Sequence, residues 1–350
     1  MKEVFILGAG ASFASAATPL GSELVWQYHY DCARLVPIRD GIVDNTAANK
    51  DFANFEKFLV CVGHYYPELS LELERWRNRG EAFYTPSRNL GKTYYIDEIL
   101  ELIQAKGDAD CVSIIRQLIF EHIVESSLNR KNELYGQFIR YILQPKSQDA
   151  VSIISFNFDC LLHEHFLHPV TFDYLINFSW IDPHRSRYRL GVPISLIKLN
   201  GSLDWGICNR CGKLNLYFWH MRHGFYNNKL CTSECGGKID PFIVMPHQTY
   251  EEFLNPLWKM AEWELSRAEK ITIIGYSFPD YDHRVINLFG NTVNENVKLE
   301  IIDYCEQNRD RLDAENSLKT QYKKMFPRLV NNININLDGF AEYLRKHVNA

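Results

Sequence analysis

The chain has 350 residues, which is enough to bury a full hydrophobic core as one large domain or two modest ones. Its composition, 46% hydrophobic and 23% charged, is ordinary for a globular enzyme, and the net charge of −5 argues against direct nucleic-acid binding. No apolar run approaches the roughly 18 residues that span a bilayer, and the N-terminal stretch has the character of a strand and not of a signal peptide. We therefore expect a cytoplasmic protein without a membrane partner.

The first predicted element is a buried strand over residues 4–7, which runs directly into a turn of small residues, Gly8-Ala9-Gly10-Ala11-Ser12. Small residues between a strand and a helix let the backbone approach a pyrophosphate at the helix N-terminus. The full Gly-x-Gly-x-x-Gly pattern is absent, because Phe13 occupies its last position. A tight strand–helix turn without a ligand is therefore the alternative.

The character of the sequence changes over residues 51–149, where apolar residues recur at helical spacing and no convincing strand is found. This pattern predicts a helical insertion after the first strand–helix unit. Its many aromatic residues are typical of helix packing, and a pocket lid or a partner surface is the alternative role.

Strands return after this block and alternate with helices. Buried strands are predicted over residues 151–156, 194–199, 241–246, 271–277 and 297–303. Asn255-Pro256 is expected to begin one of the intervening helices. The alternation predicts an α/β fold, a Rossmann-like and mostly parallel sheet with helices on both faces.

Polar residues follow two of these strands. Asn157 and Asp159 come after the strand at 151–156, where open α/β sheets bind ligands, and an Asn turn with Asp159 capping a helix is an equal alternative. The strand at 194–199 stops at Asn200-Gly201, a turn pair that tolerates positive φ.

Four of the nine cysteines form two close pairs, Cys208 with Cys211 and Cys231 with Cys235, with about 19 residues between the pairs. This spacing predicts a tetrahedral zinc site. Four thiolates leave no open coordination position, so the metal is expected to be structural. The remaining cysteines are expected to pack as small apolar residues.

Taken together and in order, five segments resemble the sirtuin-like (silent information regulator) family, whose members consume NAD. They are residues 8–12, 155–159, 198–205, the two cysteine pairs, and 275–278. The resemblance implies a sirtuin-like Rossmann-type NAD domain over residues 1–50, 150–206 and 237–350, a zinc ribbon over 207–236, and the helical insertion over 51–149.

The same resemblance implies NAD as substrate and Zn²⁺ as a structural ion. The residues it places at NAD are Gly8, Ala9, Gly10, Ala11, Ser12, Asn157, Asp159, Gly201, Gly275, Ser277 and Asp303. The catalytic positions are Asn157, Asn200 and Asp159.

Two segments of the sirtuin deacylases are missing, an acidic and Arg-containing motif at 13–20 and a Phe-Gly-Glu segment at 243–247. The pattern is closer to the bacterial branch that hydrolyses NAD to nicotinamide and ADP-ribose in anti-phage defence. That branch implies a homo-oligomer or a complex with a defence partner such as an ATPase. An NAD-dependent protein deacylase and a non-catalytic NAD-sensing or assembly module are the alternatives.

The anti-phage branch uses an Asn and a His as its catalytic pair. Asn157 fits the first position, but Asn200 occupies the second. A carboxamide can hydrogen-bond a ribose hydroxyl but cannot accept its proton. Three explanations remain open: an introduced inactivating replacement, a natural NAD binder with little turnover, or another base among Asp159, Asp204 and His283. The intact motif around Asn200 favours the first.

Overall fold

The computed structural model describes residues 2–16, 123, 133–143, 151–162, 172–173, 194–216, 231, 233, 235–244, 251–278, 282–305 and 310–348. The chain divides into two compact units, Met1–Thr18 with Ser126–Ala350, and Pro19–Glu125. Of the second unit only Ile123 is described, so most of the predicted insertion at 51–149 lies outside the described residues.

The described part of the first unit alternates strands and helices. In chain order these are β1 (Glu3–Leu7), α1 (Ala9–Ala16), α2 (Glu133–Ile142), β2 (Val151–Ser155), β3 (Phe172–Asp173), β4 (Ile194–Lys198), β5 (Gly201–Cys208), β6 (Leu214–Leu216), β7 (Ile239–Ile243), α3 (Glu251–Ser266), β8 (Lys270–Ile274), α4 (His283–Thr292), β9 (Lys298–Ile302), α5 (Arg311–Met325), a 3₁₀ helix (Pro327–Asn332), β10 (Ile333–Asn336) and α6 (Gly339–Val348).

Seven strands form one sheet in the order β10-β9-β8-β1-β2-β4-β3, and every pair in it is parallel. The predicted parallel α/β fold is confirmed. Because the strands all point the same way, their carboxyl ends meet at one edge. The strand order reverses at β1, which has β2 on one side and β8 on the other. Open α/β sheets bind ligands at the carboxyl edge beside such a reversal.

Helices cover both faces of this sheet, as predicted. The Phe5 ring in β1 lies edge-on to Phe138 of α2, with 5.1 Å between centroids. Ser152 is the register partner of Val4, which points to the opposite face from Phe5. The Ser152 hydroxyl donates to Glu264 of α3 at 2.7 Å, so α3 lies on this opposite face. Covering both faces explains why strand β1 is buried almost throughout.

The helix boundary predicted at Asn255-Pro256 is wrong. Helix α3 begins at Glu251, so Pro256 lies inside it. Four buried apolar residues of the helix, Leu254, Leu257, Ala261 and Leu265, recur at helical spacing on one side. Burial of this stripe holds the first turn in place although the proline lacks an N–H to donate.

A second, smaller sheet contains β5, β6 and β7, antiparallel and in the order β6-β5-β7. The strand predicted over 241–246 overlaps β7 and therefore belongs to this sheet and not to the parallel one. The turn between β4 and β5 has the predicted positive φ at Gly201, +81°. The sheet runs from Gly201 to Ile243 and so extends beyond the predicted zinc-ribbon limits of 207–236 on both sides. Those limits remain a prediction.

None of the described helices combines the length and the apolar character that a bilayer crossing requires.

Candidate functional site

Two glycine turns contact each other at the carboxyl edge, between β1 and β8. The Gly10 N–H donates to the Gly275 carbonyl at 2.9 Å, and the Gly8 N–H donates to the Ile274 carbonyl at 3.0 Å. A Cβ on Gly8 would lie 2.4 Å from the Gly275 oxygen, and one on Gly275 would lie 2.3 Å from the Ala11 nitrogen. Only glycines allow this approach, which brings the N-terminus of α1 to the edge where it can meet an anion.

The predicted residues Asn157, Asp159 and Ser12 come together in one buried hydrogen-bond network. Asn157 Nδ2 donates to the Gly8 carbonyl and to Ser12 Oγ, both at 2.8 Å. Ser12 Oγ in turn donates to Asp159 Oδ2 at 2.6 Å. Asp159 Oδ1 accepts from the Leu161 N–H at 3.1 Å, which closes a local turn, and the helix that Asp159 was alternatively expected to cap lies outside the described residues. Asp159 therefore makes both contacts at once.

A residue that sequence reasoning missed completes this network. The Tyr135 hydroxyl, from α2, lies 2.9 Å from Ser12 Oγ and 3.4 Å from Asn157 Nδ2. Burial raises the pKa of Tyr135, and the negative charge of Asp159 raises it further. Tyr135 is 123 positions from Ser12 and lies in the block predicted to be an insertion, so no local pattern pointed to it.

Asn200 lies where three strands end. Its Nδ2 donates to the Phe156 carbonyl after β2 at 3.2 Å, and its own carbonyl accepts from the Val244 N–H after β7 at 2.8 Å. The side chain is half-buried. The hydrogen bond to Phe156 places the amide of Asn200 beside the loop that carries Asn157.

The other candidate bases have different surroundings. Asp204 is buried, and its Oδ1 lies 3.5 Å from the Cys160 thiol, whose pKa burial raises well above its ordinary value. His283 is exposed at the first position of α4. Asp159 is the candidate that the structure joins directly to Ser12 and, through it, to Asn157.

A buried lysine fixes the loop that carries Asn157 and Asp159. Lys198 is 2% exposed, and its Nζ donates to the Asp159 carbonyl at 2.5 Å and to the Phe158 carbonyl at 3.2 Å. The main chain of Phe158 also accepts from the Leu203 N–H at 2.8 Å. These hydrogen bonds hold the main chain of the loop in place, so the positions from which the Asn157 and Asp159 side chains extend are fixed.

Residues 275–277 follow β8, which pairs with β1 on the side opposite to β2. The ring of Tyr276 stacks on that of Phe156, with 4.3 Å between centroids and 16° between planes. The Ser277 carbonyl accepts from Gln321 Nε2 at 2.9 Å. Asp303 follows β9 at the same edge, where its side chain is exposed and its Oδ1 accepts from the Tyr304 N–H at 2.8 Å.

The four predicted metal ligands meet at the tip of the antiparallel sheet. The sulfur atoms of Cys208, Cys211, Cys231 and Cys235 all lie within 4.8 Å of one another. Cys208 and Cys235 are 3.4 Å apart, and Cys211 and Cys231 are 3.5 Å apart. Zn–S bonds of about 2.3 Å in a tetrahedron place sulfurs about 3.8 Å apart, so these thiols fit a zinc ion.

Local structure around the cysteines supports this fit. The N–H groups of Arg210 and Cys211 point at Cys208 Sγ, at 3.4 and 3.5 Å, as at a metal knuckle. A Cβ on Gly237 would lie 2.4 Å from Cys208 Sγ, so only glycine fits beside that sulfur. A hydrogen bond with Ser233 lowers the pKa of Cys211 to about 6, whereas burial raises the pKa of Cys208 to about 11, so the fit to a metal rests on the positions of the four sulfurs.

Fold and site together define a Rossmann-like protein with a glycine turn at the strand-order reversal and a separate four-cysteine cluster. No family model matches the chain, and no curated protein matches it. Sir2 proteins are among the solved structures that it resembles in fold.

One of these is a Sir2 homologue in complex with NAD, with 14% identity and a TM-score of 0.46 over 99% of this chain and 88% of that one. Another is a triple mutant of a Sir2 homologue with 2′-O-acetyl ADP-ribose, with 13% identity and a TM-score of 0.47 over 99% and 90%. A third is Sir2 with an inhibitor, 2′-O-acetyl-ADP-ribose and a deacetylated peptide, with 16% identity and a TM-score of 0.40 over 98% and 91%. Likenesses of this degree assign neither ligand nor activity to this chain.

Proposed function

We propose that this chain is a sirtuin-like protein that binds NAD at the carboxyl edge between β8, β1 and β2, and that its active form hydrolyses NAD to nicotinamide and ADP-ribose. The observation that carries the proposal is the double hydrogen bond of Asn157, which joins the Gly8 carbonyl and Ser12. This bond brings the glycine turn and the Asn-x-Asp segment, 149 positions apart, into one site.

The dinucleotide fits the glycine turn for a physical reason. The N-terminus of α1 presents the positive end of its helix dipole to a pyrophosphate at the strand-order reversal, and the small residues 8–12 let the pyrophosphate come close to the main chain. In this assignment Gly8, Ala9, Gly10, Ala11 and Ser12 hold the pyrophosphate side. Gly275 and Ser277 hold the nucleotide from β8, Asp303 accepts from a ribose hydroxyl, and Gly201 lets the Asn200 turn close over the reacting ribose.

The reaction breaks the bond between nicotinamide and the ribose and adds water to the ribose carbon, so that one proton is released. The transition state resembles an oxocarbenium ion, which the Asp159 carboxylate stabilises by its charge. Asn157 orients the ribose through Oδ1, because both protons of its Nδ2 go to Gly8 and Ser12. At position 200, a carboxamide holds a ribose hydroxyl or the water but takes no proton from it.

The decisive experiment compares the chain as it stands with its Asn200→His variant. We expect both to bind NAD in a calorimetric titration, and the variant to release nicotinamide about 10²–10⁴ times faster, because imidazole is a base near neutral pH. Asn157→Ala in the Asn200→His background is the control, and it should abolish the gain.

Two results would contradict the proposal. Failure of both chains to bind NAD removes the NAD site itself. Tight binding without nicotinamide release by Asn200→His removes the hydrolase and leaves an NAD-sensing module. A panel of acyl-lysine peptides, run with the same two chains, measures the deacylase alternative, and deacylation that depends on NAD would replace hydrolysis as the activity.

We extend the proposal to anti-phage defence through an oligomer or an ATPase-type partner, since an enzyme that drains NAD must be held inactive until it is triggered. Size-exclusion chromatography with light scattering tests the homo-oligomer. A chain that stays monomeric at all concentrations would leave only the partner form of this extension.

A further inference from the structure

A tyrosine from outside the sirtuin-like segments enters the Asn157 network. We propose that Tyr135 is a positioning residue of the NAD site, whose hydroxyl directs the Ser12 hydroxyl onto Asp159 and so fixes Asn157 and Asp159 for the bound dinucleotide. This inference rests on the proposed function, and it adds to it a residue that the resemblance did not supply.

Proton counting fixes the direction of every bond in the network. Asn157 Nδ2 has two protons, which go to the Gly8 carbonyl and to Ser12 Oγ. Ser12 has one, and it goes to Asp159 Oδ2, because a carboxylate only accepts. The contact between Ser12 and Tyr135 at 2.9 Å therefore uses the tyrosine's proton. Tyr135 therefore donates to Ser12, and Ser12 donates to Asp159.

Tyr135 can act as a donor at every physiological pH. Burial and the neighbouring Asp159 charge both raise its pKa, so the hydroxyl keeps its proton. Two donors, Tyr135 and Asn157, then occupy both lone pairs of Ser12 Oγ. Ser12 cannot rotate its proton away from Asp159 without breaking a bond. Removing the tyrosine hydroxyl leaves one lone pair of Ser12 Oγ without a donor. The Ser12 hydroxyl can then rotate away from Asp159.

The ring of Tyr135 is held independently of its hydroxyl. It is 1% exposed and lies edge-on to Phe340 of α6, with 6.0 Å between centroids. One turn along α2, Phe138 packs against both Phe5 and Phe340. The Tyr135 N–H also donates to Ser15 Oγ of α1 at 3.3 Å. A phenylalanine at 135 would keep these contacts and lose only the donor.

The test is a double-mutant cycle of Tyr135→Phe, Ser12→Ala and the double variant, with NAD affinity measured by calorimetry. Nicotinamide release is measured in the Asn200→His background. We expect Tyr135→Phe to weaken NAD binding or turnover about tenfold, the worth of one hydrogen bond. The double variant should be no weaker than Ser12→Ala alone, because the tyrosine acts through the serine.

Tyr141→Phe is the matched control, since Tyr141 lies in the same helix and contacts Tyr343 and not Ser12. It should leave NAD affinity and turnover unchanged. Thermal unfolding of each variant shows whether a loss comes from folding, and restored function in Tyr135→Phe at lower temperature would count against positioning.

Two outcomes are distinguishable. NAD binding and turnover that are unaffected by Tyr135→Phe, or losses that simply add in the double variant, would overturn the positioning role and leave the proposed function standing. Absence of NAD binding by the unaltered chain would overturn the proposed function, and this inference with it.

Discussion

Three glycines decide how closely the β1–α1 turn and the β8 turn approach each other. Gly8 and Gly10 both face Gly275, and Gly275 has a φ of +62°. Any Cβ at this contact would meet main-chain atoms, which cannot move aside as a flexible side chain can. The distance between the two halves of the proposed NAD site is therefore set by missing side chains.

Gly275→Ala should destabilise the protein and weaken NAD binding. The new Cβ would lie 2.3 Å from the Ala11 nitrogen, and an L-residue at this φ is strained as well. We expect a loss of about 3 kcal/mol in the free energy of unfolding, measured by urea denaturation.

Gly290→Ala is the control for that substitution. Gly290 lies in α4, and a Cβ added there would have nothing within 4 Å, so alanine should stabilise the helix by about 0.5–1 kcal/mol. Equal stability of the two alanine variants would contradict the close approach at Gly275.

The residues of the site differ in how far the sequence could reveal them. Asn157 follows a recognisable buried strand, so its place at the carboxyl edge could be predicted. Its hydrogen bond to Gly8 depends on β1 pairing with β2, a register that local pattern does not contain. Tyr135 was hidden entirely, because its role depends on how α2 packs.

At the scale of elements, helix α5 was not predicted, although it supports residues 275–278, one of the segments that carry the resemblance. Only Ala314 and Tyr322 are buried in it, so its apolar spacing is too weak to detect. Yet Gln321 Nε2 and the Tyr322 hydroxyl donate to the carbonyls of Ser277 and Tyr276, at 2.9 and 3.3 Å. A mostly polar helix thus provides hydrogen-bond donors to the carbonyls of Tyr276 and Ser277, in a stretch predicted to be the end of a strand.

The four-cysteine element should bind one zinc ion per chain. Cys211→Ser removes a ligand, so zinc content measured by atomic emission should fall well below one. The midpoint of thermal unfolding should fall with it, by about 2–4 °C for each kcal/mol lost. Zinc binding should also weaken on acidification, because the ligands must lose their protons.

Cys305→Ser is the matched control, since Cys305 is a thiol outside the cluster. It should keep full zinc content and the parent's unfolding midpoint. Parent protein that contains no zinc after purification without chelators, and takes up none when zinc is added, would contradict the assignment.

At the scale of the whole molecule, the fold class was predictable and the strand order was not. Buried strands alternating with helices indicate a parallel sheet. The central position of β1 comes from pairing with β8, in which Glu3 is the register partner of Lys270. Such distant pairing leaves no trace in local periodicity. For the same reason β7 could not be assigned to the antiparallel sheet from its apolar run.

Two ion pairs of the C-terminal part of the molecule share the carboxylate of Asp338. The free energy of unfolding should therefore depend on pH. Asp338 accepts from Lys346 of α6 at 2.7 Å and from Arg311 at the start of α5. These hydrogen bonds, that of Lys346 first, lower the pKa of Asp338 below its ordinary value. The side chains of Arg311 and Lys346 are 60% and 46% exposed, so solvent screening limits what each pair contributes to stability.

Asp338→Asn should therefore lower the free energy of unfolding by about 1 kcal/mol at pH 7. A carboxyl whose pKa is lower when folded stabilises the fold above its unfolded pKa of about 3.9, and that contribution disappears as pH falls through the folded pKa. The difference between parent and variant should be constant from about pH 8 to 5 and shrink below that. Urea denaturation across this range measures it.

Glu295→Gln, at an exposed pair with Arg328 whose atoms are 4.0 Å apart, is the control and should show little difference at any pH. A difference for Asp338→Asn that persists unchanged at the acidic end would mean that the asparagine disturbs packing, and that the charge of Asp338 is not what joins α5 to α6.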